Sequence, residues 1–157
     1  MLFRSLALSF YQKLKEKFAL EGRDLFFVMN GDFMDGTGFS THPPKHLVDI
    51  IQRMPFDAIN IGNHELYRND TIDFISSPGG FIDSLDGRYL TSNVLHSTTK
   101  QPLGNRYKFL YGVNSGYSIL TFGFLYNFDS NCESTIVEQV QDVVESEWFL
   151  KIGRAHV

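Results

Sequence analysis

Apolar positions along this chain fall into stripes and short solid runs, and the alternation between the two predicts its elements. From Leu8 to Leu20 the residues Phe10, Leu14 and Phe18 fall four apart, with Lys13, Lys15, Glu16 and Lys17 on the other faces. That spacing predicts an amphipathic helix packed on a sheet, and Gly22 is placed to end it by taking a positive φ. The run Leu25–Met29 reads as a buried strand, followed by a polar loop over Asn30–His42. Pro43-Pro44 suits the start of a helix with the stripe Leu47, Ile50, Ile51 and Met54, closed by Pro55. A second buried strand is expected at Ala58–Ile61. Asp70 is placed to cap a short helix reaching Ile75, and Phe81–Leu85 reads as another. A third strand is expected over Tyr89–Val94 and a loop over Leu95–Asn105. Tyr107–Val113 and Tyr117–Leu125, joined by Asn114-Ser115-Gly116, read as a β-hairpin. A last helix is expected from Thr135, where Glu138 completes a capping box, with the stripe Ile136, Val140, Val143 and Val144.

The first two runs and the helix between them make a β-α-β unit. Each run is followed by a cluster of polar residues, Gly31-Asp32-Phe33-Met34-Asp35-Gly36 and Gly62-Asn63-His64-Glu65. Open α/β sheets bind ligands at the carboxyl ends of their strands. The two clusters are therefore expected to converge on one site.

Composition narrows the choice of chemistry. A net charge of -4 with no Lys/Arg run argues against a nucleic-acid surface, because nothing is gathered to neutralise phosphates. The single cysteine, Cys132, allows neither an internal disulfide nor a cysteine-based zinc site. No apolar run approaches a membrane span in length. The two ends read differently from the rest. Ile152–Val157 is what ATC GGA AGA GCA CAC GTC encodes and Leu2–Ser5 what CTC TTC CGA TCT encodes, and both resemble sequencing adapters. Residues 6–150 are therefore expected to be the natural part, with 1–5 and 151–157 as adapter-derived flanks.

Asp32 follows a buried strand and a glycine, where a carboxylate is costly to hold without a cation or hydrogen bonds. A metal ligand and an aspartate bonded to its own turn are both open readings. Asn63 offers a neutral hard oxygen, and His64 a ligand nitrogen or a proton donor. Gly62 lets the chain turn tightly. His42, His46 and His96 fall in expected loops or helix starts and read as solvated. The glycines at 31, 36 and 38 lack the lysine of a phosphate-binding P-loop.

Together, Gly-Asp, roughly 30 residues holding one helix, and Gly-Asn-His-Glu after a second strand resemble the calcineurin-like metallophosphoesterase superfamily. The sequence looks most like its 5'-nucleotidase-like branch of fungal and other eukaryotic proteins. The points of likeness are Gly31–Gly38, Ile61–Tyr67, Thr91-Ser92-Asn93-Val94 and the hairpin region. The resemblance implies an α/β fold of two mixed β-sheets flanked by helices (α/β/β/α), present here in part. It implies two divalent metal ions (Zn, Mn, Fe, Mg or Ca) bridged by Asp32, with Asn63 as an amide ligand on one. His64 would stabilise the phosphoryl transition state or protonate the leaving oxygen, and Glu65 would hold its loop. Asp35 reads as a turn residue or as a hydrogen-bond acceptor behind the ligands.

The implied activity is hydrolysis of a small phosphorylated substrate, a nucleotide first of all, by in-line attack of a metal-bridging water. The implied setting is secreted or vacuolar. A non-catalytic binding module of the same fold is the alternative, as is a phosphodiesterase or nuclease of the superfamily. Two departures stand out. The superfamily's Asp-x-His and Gly-His-x-His motifs are not in the chain. Tyr67 also occupies the position where many nucleotidases carry an aspartate that orients the histidine.

Overall fold

The structure, a computed structural model, describes residues 2–34 and 45–155. Three parallel strands form its centre: β1 (Val28–Asn30), β2 (Ala58–Asn60) and β3 (Tyr89–Leu90), in the order β1-β2-β3. β1 and β2 pair from Val28↔Ala58 to Asn30↔Asn60, so both chains leave the sheet at the same edge. Helix α2 (Lys45–Gln52) lies between β1 and β2 in sequence, and α3 (Asn69–Ser76) and α4 (Phe81–Ser84) lie between β2 and β3. Ile51, Met54, Ile59, Ile61, Leu66, Ile72, Ile75, Phe81, Leu85 and Tyr89 form a continuous buried core joining these elements. Burial of this apolar surface is the main source of stability, at about 25 cal/mol per Å².

The remaining strands pair antiparallel. β4 (Val94–His96) pairs with β7 (Thr135–Val137), and β5 (Tyr107–Tyr111) with β6 (Ser118–Phe122). The fold is thus α/β with both parallel and antiparallel sheets. Among the described residues no helix is long and apolar enough to cross a membrane.

Several elements depart from the sequence pattern. In α1 (Leu2–Leu20) Phe10 is 67% exposed, while Tyr11 is buried. Positions 7, 11, 14 and 18 alternate four and three and stay on one face, whereas steps of four alone drift around the helix. The first strand starts at Val28, not Leu25, and Val28 is exposed because β1 is the outer strand of its sheet. Phe27 still meets the neighbouring segment, donating its N–H to Asp57 Oδ2 and accepting the Asp57 N–H, each at 2.7 Å. On α2 the buried residues are Val48 and Ile51; Leu47 and Ile50 are half-buried. Pro43 and Pro44 lie outside the described residues.

Arg68 precedes α3 as its cap residue, and Asp70, inside the first turn, pairs with Arg68. The expected third strand divides into β3 and β4 around Thr91-Ser92-Asn93, all three buried. Asn93 binds across the molecule, donating to Leu125 O and Glu138 O and accepting from Leu125 N. His96 therefore sits in a strand, not a loop. The hairpin strands end sooner than expected, at Tyr111, and begin later, at Ser118.

The helix expected from Thr135 is a strand, and α5 (Val140–Val144) starts only after Gln139. Thr135-Ile136-Val137 is wholly β-branched, which suits a ladder with His96-Leu95-Val94 better than a helix. α6 (Glu147–Ala155) closes the described chain, and Trp148 and Phe149 both contact Phe122 of β6.

Candidate metal and phosphate site

The two strand-end loops meet backbone against backbone. Gly31 has φ +80, and a Cβ built there would lie 2.4 Å from Gly62 N. A Cβ on Gly62 would lie 2.2 Å from Asp32 Oδ1 and 2.4 Å from Asp32 N. Only glycine permits this approach on either side. The expected convergence of the two clusters is therefore seen at Gly31-Asp32 and Gly62-Asn63.

Asp32 itself has φ +57. Left-handed backbone costs a residue with a Cβ about 1–2 kcal/mol, so the neighbouring contacts must hold it there. Glu65 supplies most of them. Its Oε2 accepts from Asp32 N at 2.9 Å and Gly62 N at 2.8 Å. Its Oε1 accepts from Phe33 N at 2.8 Å and Met34 N at 2.9 Å. Glu65 is fully buried. Burial pushes its carboxyl above the ordinary 4.5, and the four amide hydrogens pull it back without cancelling that rise.

With its backbone held from below, Asp32 is left with an exposed carboxylate. Oδ1 accepts the His64 N–H at 3.2 Å. The segment His64–Leu66 forms a single 3-10 turn, which brings Asn63 and Tyr67 together. Asn63 Nδ2 donates to Tyr67 Oη at 2.6 Å. The His64 ring meets the Tyr67 ring edge-on, with centroids 5.0 Å apart, and its Nδ1 is buried with no hydrogen-bond partner among the described residues.

The structure thus brings Asp32, Asn63, His64, Glu65, Gly31 and Gly62 together. Asp35 lies outside the described residues, as do Gly36, Gly38 and His42, and the side chain of His46 is not described. His96 is on β4, where its Nδ1 accepts from Thr98 N at 3.2 Å. Among the described residues no group of three or more His, Cys, Asp or Glu is gathered as a metal centre would need. What the two loops offer is an exposed carboxylate beside an amide, two hard oxygen donors of the kind divalent cations take. That donor pair fits one side of such a site. In the sequence Tyr67 ends a stretch of family likeness and stands where a carboxylate is missing; its place beside Asn63 was legible in the i, i+4 spacing, which places two side chains on one face of a turn.

A separate cleft of about 510 Å³ lies at the opposite ends of the strands, lined in part by Tyr11, Lys15, Asp57, Arg88 and Lys108. It includes none of these loop residues.

This chain belongs to the calcineurin-like phosphoesterase family, whose family model matches residues 7–155. Divalent metal ions are what membership of that metallophosphoesterase family implies. Over 152 residues the chain is 34% identical to an uncharacterized protein of Schizosaccharomyces pombe, covering 90% of this chain and 24% of that protein. It is 30% identical over 149 residues to a protein of Arthroderma benhamiae described as a secreted protein, covering 90% of this chain and 22% of the other. The crystal structure of a 5'-nucleotidase from Candida albicans superimposes with a TM-score of 0.86 at 26% identity, covering 96% of this chain and 28% of that one. The chain therefore spans about a quarter of the length of the relatives it matches.

Proposed function

We propose that this chain carries the middle part of the metal site of a phosphoester hydrolase, and that the longer protein acts on nucleotides. The observation carrying this reading is the approach of the Asp32 and Gly62-Asn63-His64 loops, pinned by one buried carboxylate. Asp32 and Asn63 would hold divalent metal through carboxylate and amide oxygens, with two ions in the full site. The other ligands would come from segments that this chain does not include, in keeping with the length of its relatives. Bound metal of this kind supplies Lewis-acid polarisation of the phosphate and lowers the pKa of water.

The chain's own residues have simpler tasks. Glu65 fixes the backbone on which Asp32 and Asn63 stand. Asp32 orients the turn by accepting the His64 N–H. His64 stands one residue past the amide ligand, where its ring can donate a hydrogen bond or a proton to a phosphoryl or leaving oxygen. Nucleotide as the substrate class is supported by the Candida nucleotidase superposition. A secreted setting is supported by the Arthroderma relative.

A non-catalytic binding module is the second reading, favoured by the buried Nδ1 of His64, which has no hydrogen-bond partner among the described residues. The two are separated by recovering the longer coding sequence and assaying phosphate release from AMP with and without a chelator. Metal-dependent release that Asp32→Asn abolishes is expected. A folded, metal-supplied long form that releases no phosphate from AMP would overturn the nucleotidase reading and leave the binding module or a phosphodiesterase of the superfamily. On this chain alone, Mn²⁺ should broaden the NMR signals of Asp32 and Asn63 before all others.

A further inference from the structure

We infer that Tyr67 is a positioning residue, fixing the plane of the Asn63 amide with its hydroxyl and bracing the His64 ring with its own. This inference rests on the metal reading of the loops given above. A side-chain amide on a turn has an oxygen end and a nitrogen end, and only the oxygen suits a divalent cation. Without a second contact the amide would rotate freely into solvent. Tyr67 Oη takes the Asn63 Nδ2 hydrogen at 2.6 Å, which leaves Oδ1 as the free end. The phenol can accept from the nitrogen or donate to the oxygen, so it holds the amide plane in either orientation and leaves a cation to select the oxygen.

The anchor is itself held. The Tyr67 ring leans on Phe128, centroids 5.9 Å apart, and Phe128 packs against the central core. Tyr67 also meets the His64 imidazole edge-on, with centroids 5.0 Å apart. No carboxylate reaches the buried Nδ1 of His64 among the described residues. Among the described residues the ring is braced by its contact with Tyr67, while the His64 backbone N–H is held on Asp32 Oδ1. One tyrosine serves two neighbours by two separable means, the hydroxyl for Asn63 and the ring for His64.

That separation makes the inference testable on the ¹⁵N-labelled full chain. Tyr67→Phe keeps the ring and removes the hydroxyl; Tyr67→Ala removes both. The readouts are the side-chain amide resonances of Asn63, the ring resonances of His64 and Mn²⁺ affinity. Tyr67→Phe should shift the Asn63 amide pair, leave His64 in place and weaken Mn²⁺ binding about tenfold, as loss of an outer partner commonly does. Tyr67→Ala should move both sets. Retention of the Asn63 resonances and of Mn²⁺ affinity in Tyr67→Phe would overturn the inference. A wild-type chain with no saturable response to Mn²⁺ would overturn the metal reading instead. The Asn63 resonances would then decide the positioning by themselves, and their retention in Tyr67→Phe would count against it.

Discussion

The carboxylate of Glu65 accepts the backbone N–H of Asp32 at 2.9 Å, across 33 residues of sequence, and the same oxygen accepts the N–H of Gly62. One buried side chain therefore sets the distance between the two loops that carry the candidate ligands. Removing it strands four inward-facing N–H groups, each costing about 1–3 kcal/mol when buried without a partner. Glu65→Ala should lower the unfolding free energy by about 3 kcal/mol or more in a urea titration. Glu65→Gln should recover part of this, because its oxygen serves two amides while its NH₂ group opposes the other two. A loss below about 1 kcal/mol in Glu65→Ala would show that the loops are held by something else.

Gly62 makes a different demand. Its φ is not in the left-handed region, so the cost of a side chain there is collision with Asp32 Oδ1 and N, both within 2.4 Å of an added Cβ. Backbone cannot swing aside as a flexible side chain can. Gly79 is the contrasting case, with φ +69 and open space around it, so that only backbone strain opposes alanine. Gly62→Ala should cost about 1–3 kcal/mol by overpacking and displace Asp32. Gly79→Ala should cost about 1 kcal/mol and leave the Asp32 NMR signals unmoved. Equal perturbation of Asp32 by both variants would contradict the close approach of the loops.

Much of this arrangement was legible in the sequence, and the parts that were not share a physical reason. The β-α-β unit announced itself because solid apolar runs and a helical stripe have different periods, and the polar clusters sit where parallel strands end. The family likeness rested on those clusters. The break of the third strand at Thr91-Ser92-Asn93 was hidden, because the partners that satisfy Asn93 are at Leu125 and Glu138, far along the chain. Thr135 and Glu138 spell a helix start locally, yet pairing with Val94–His96 decides for a strand. Tertiary contacts override local signals at such places. Phe10 misled for a smaller reason, one residue's rotation around α1.

Asp24 ties the hairpin turn to the end of α1 through side-chain contacts. It accepts hydrogen bonds from the Ser115 hydroxyl and from the backbone N–H groups of Asn114 and Ser115, at 3.0 Å and 2.9 Å for the latter two. The Ser115 hydroxyl first, and then these amides, hold its carboxyl below the ordinary 3.8. A carboxyl depressed in the folded state contributes stability above its unfolded pKa and loses it as pH falls through the folded one. Unfolding midpoints taken at pH 7 and pH 3 should therefore differ more in the wild type than in Asp24→Asn. Identical acid sensitivity in the two proteins would place the contribution elsewhere.

Tyr89 presents the opposite sign. Its ring, 1% exposed, packs edge-on against Phe33 and Phe81, with centroids 6.5 Å and 5.8 Å away, while its hydroxyl is buried with no partner among the described residues. Burial pushes the phenol well above the ordinary 10.0, and the negative charge of Glu65 adds to the rise. A group raised in the folded state contributes stability below its unfolded pKa, and that contribution is lost as pH climbs through the folded value. Alkali should therefore unfold the wild type beginning above about pH 10, the ordinary tyrosine value. Tyr89→Phe keeps the ring contacts and removes both the ionisable group and a buried, unpartnered hydroxyl. At pH 7 its stability should match or exceed that of the wild type by up to about 1 kcal/mol. Its alkaline transition should also move to higher pH, which circular dichroism across pH 8–12 would show. A variant less stable at pH 7 by more than about 1 kcal/mol would reveal a partner for the hydroxyl; an unmoved alkaline transition would assign the titration to another group.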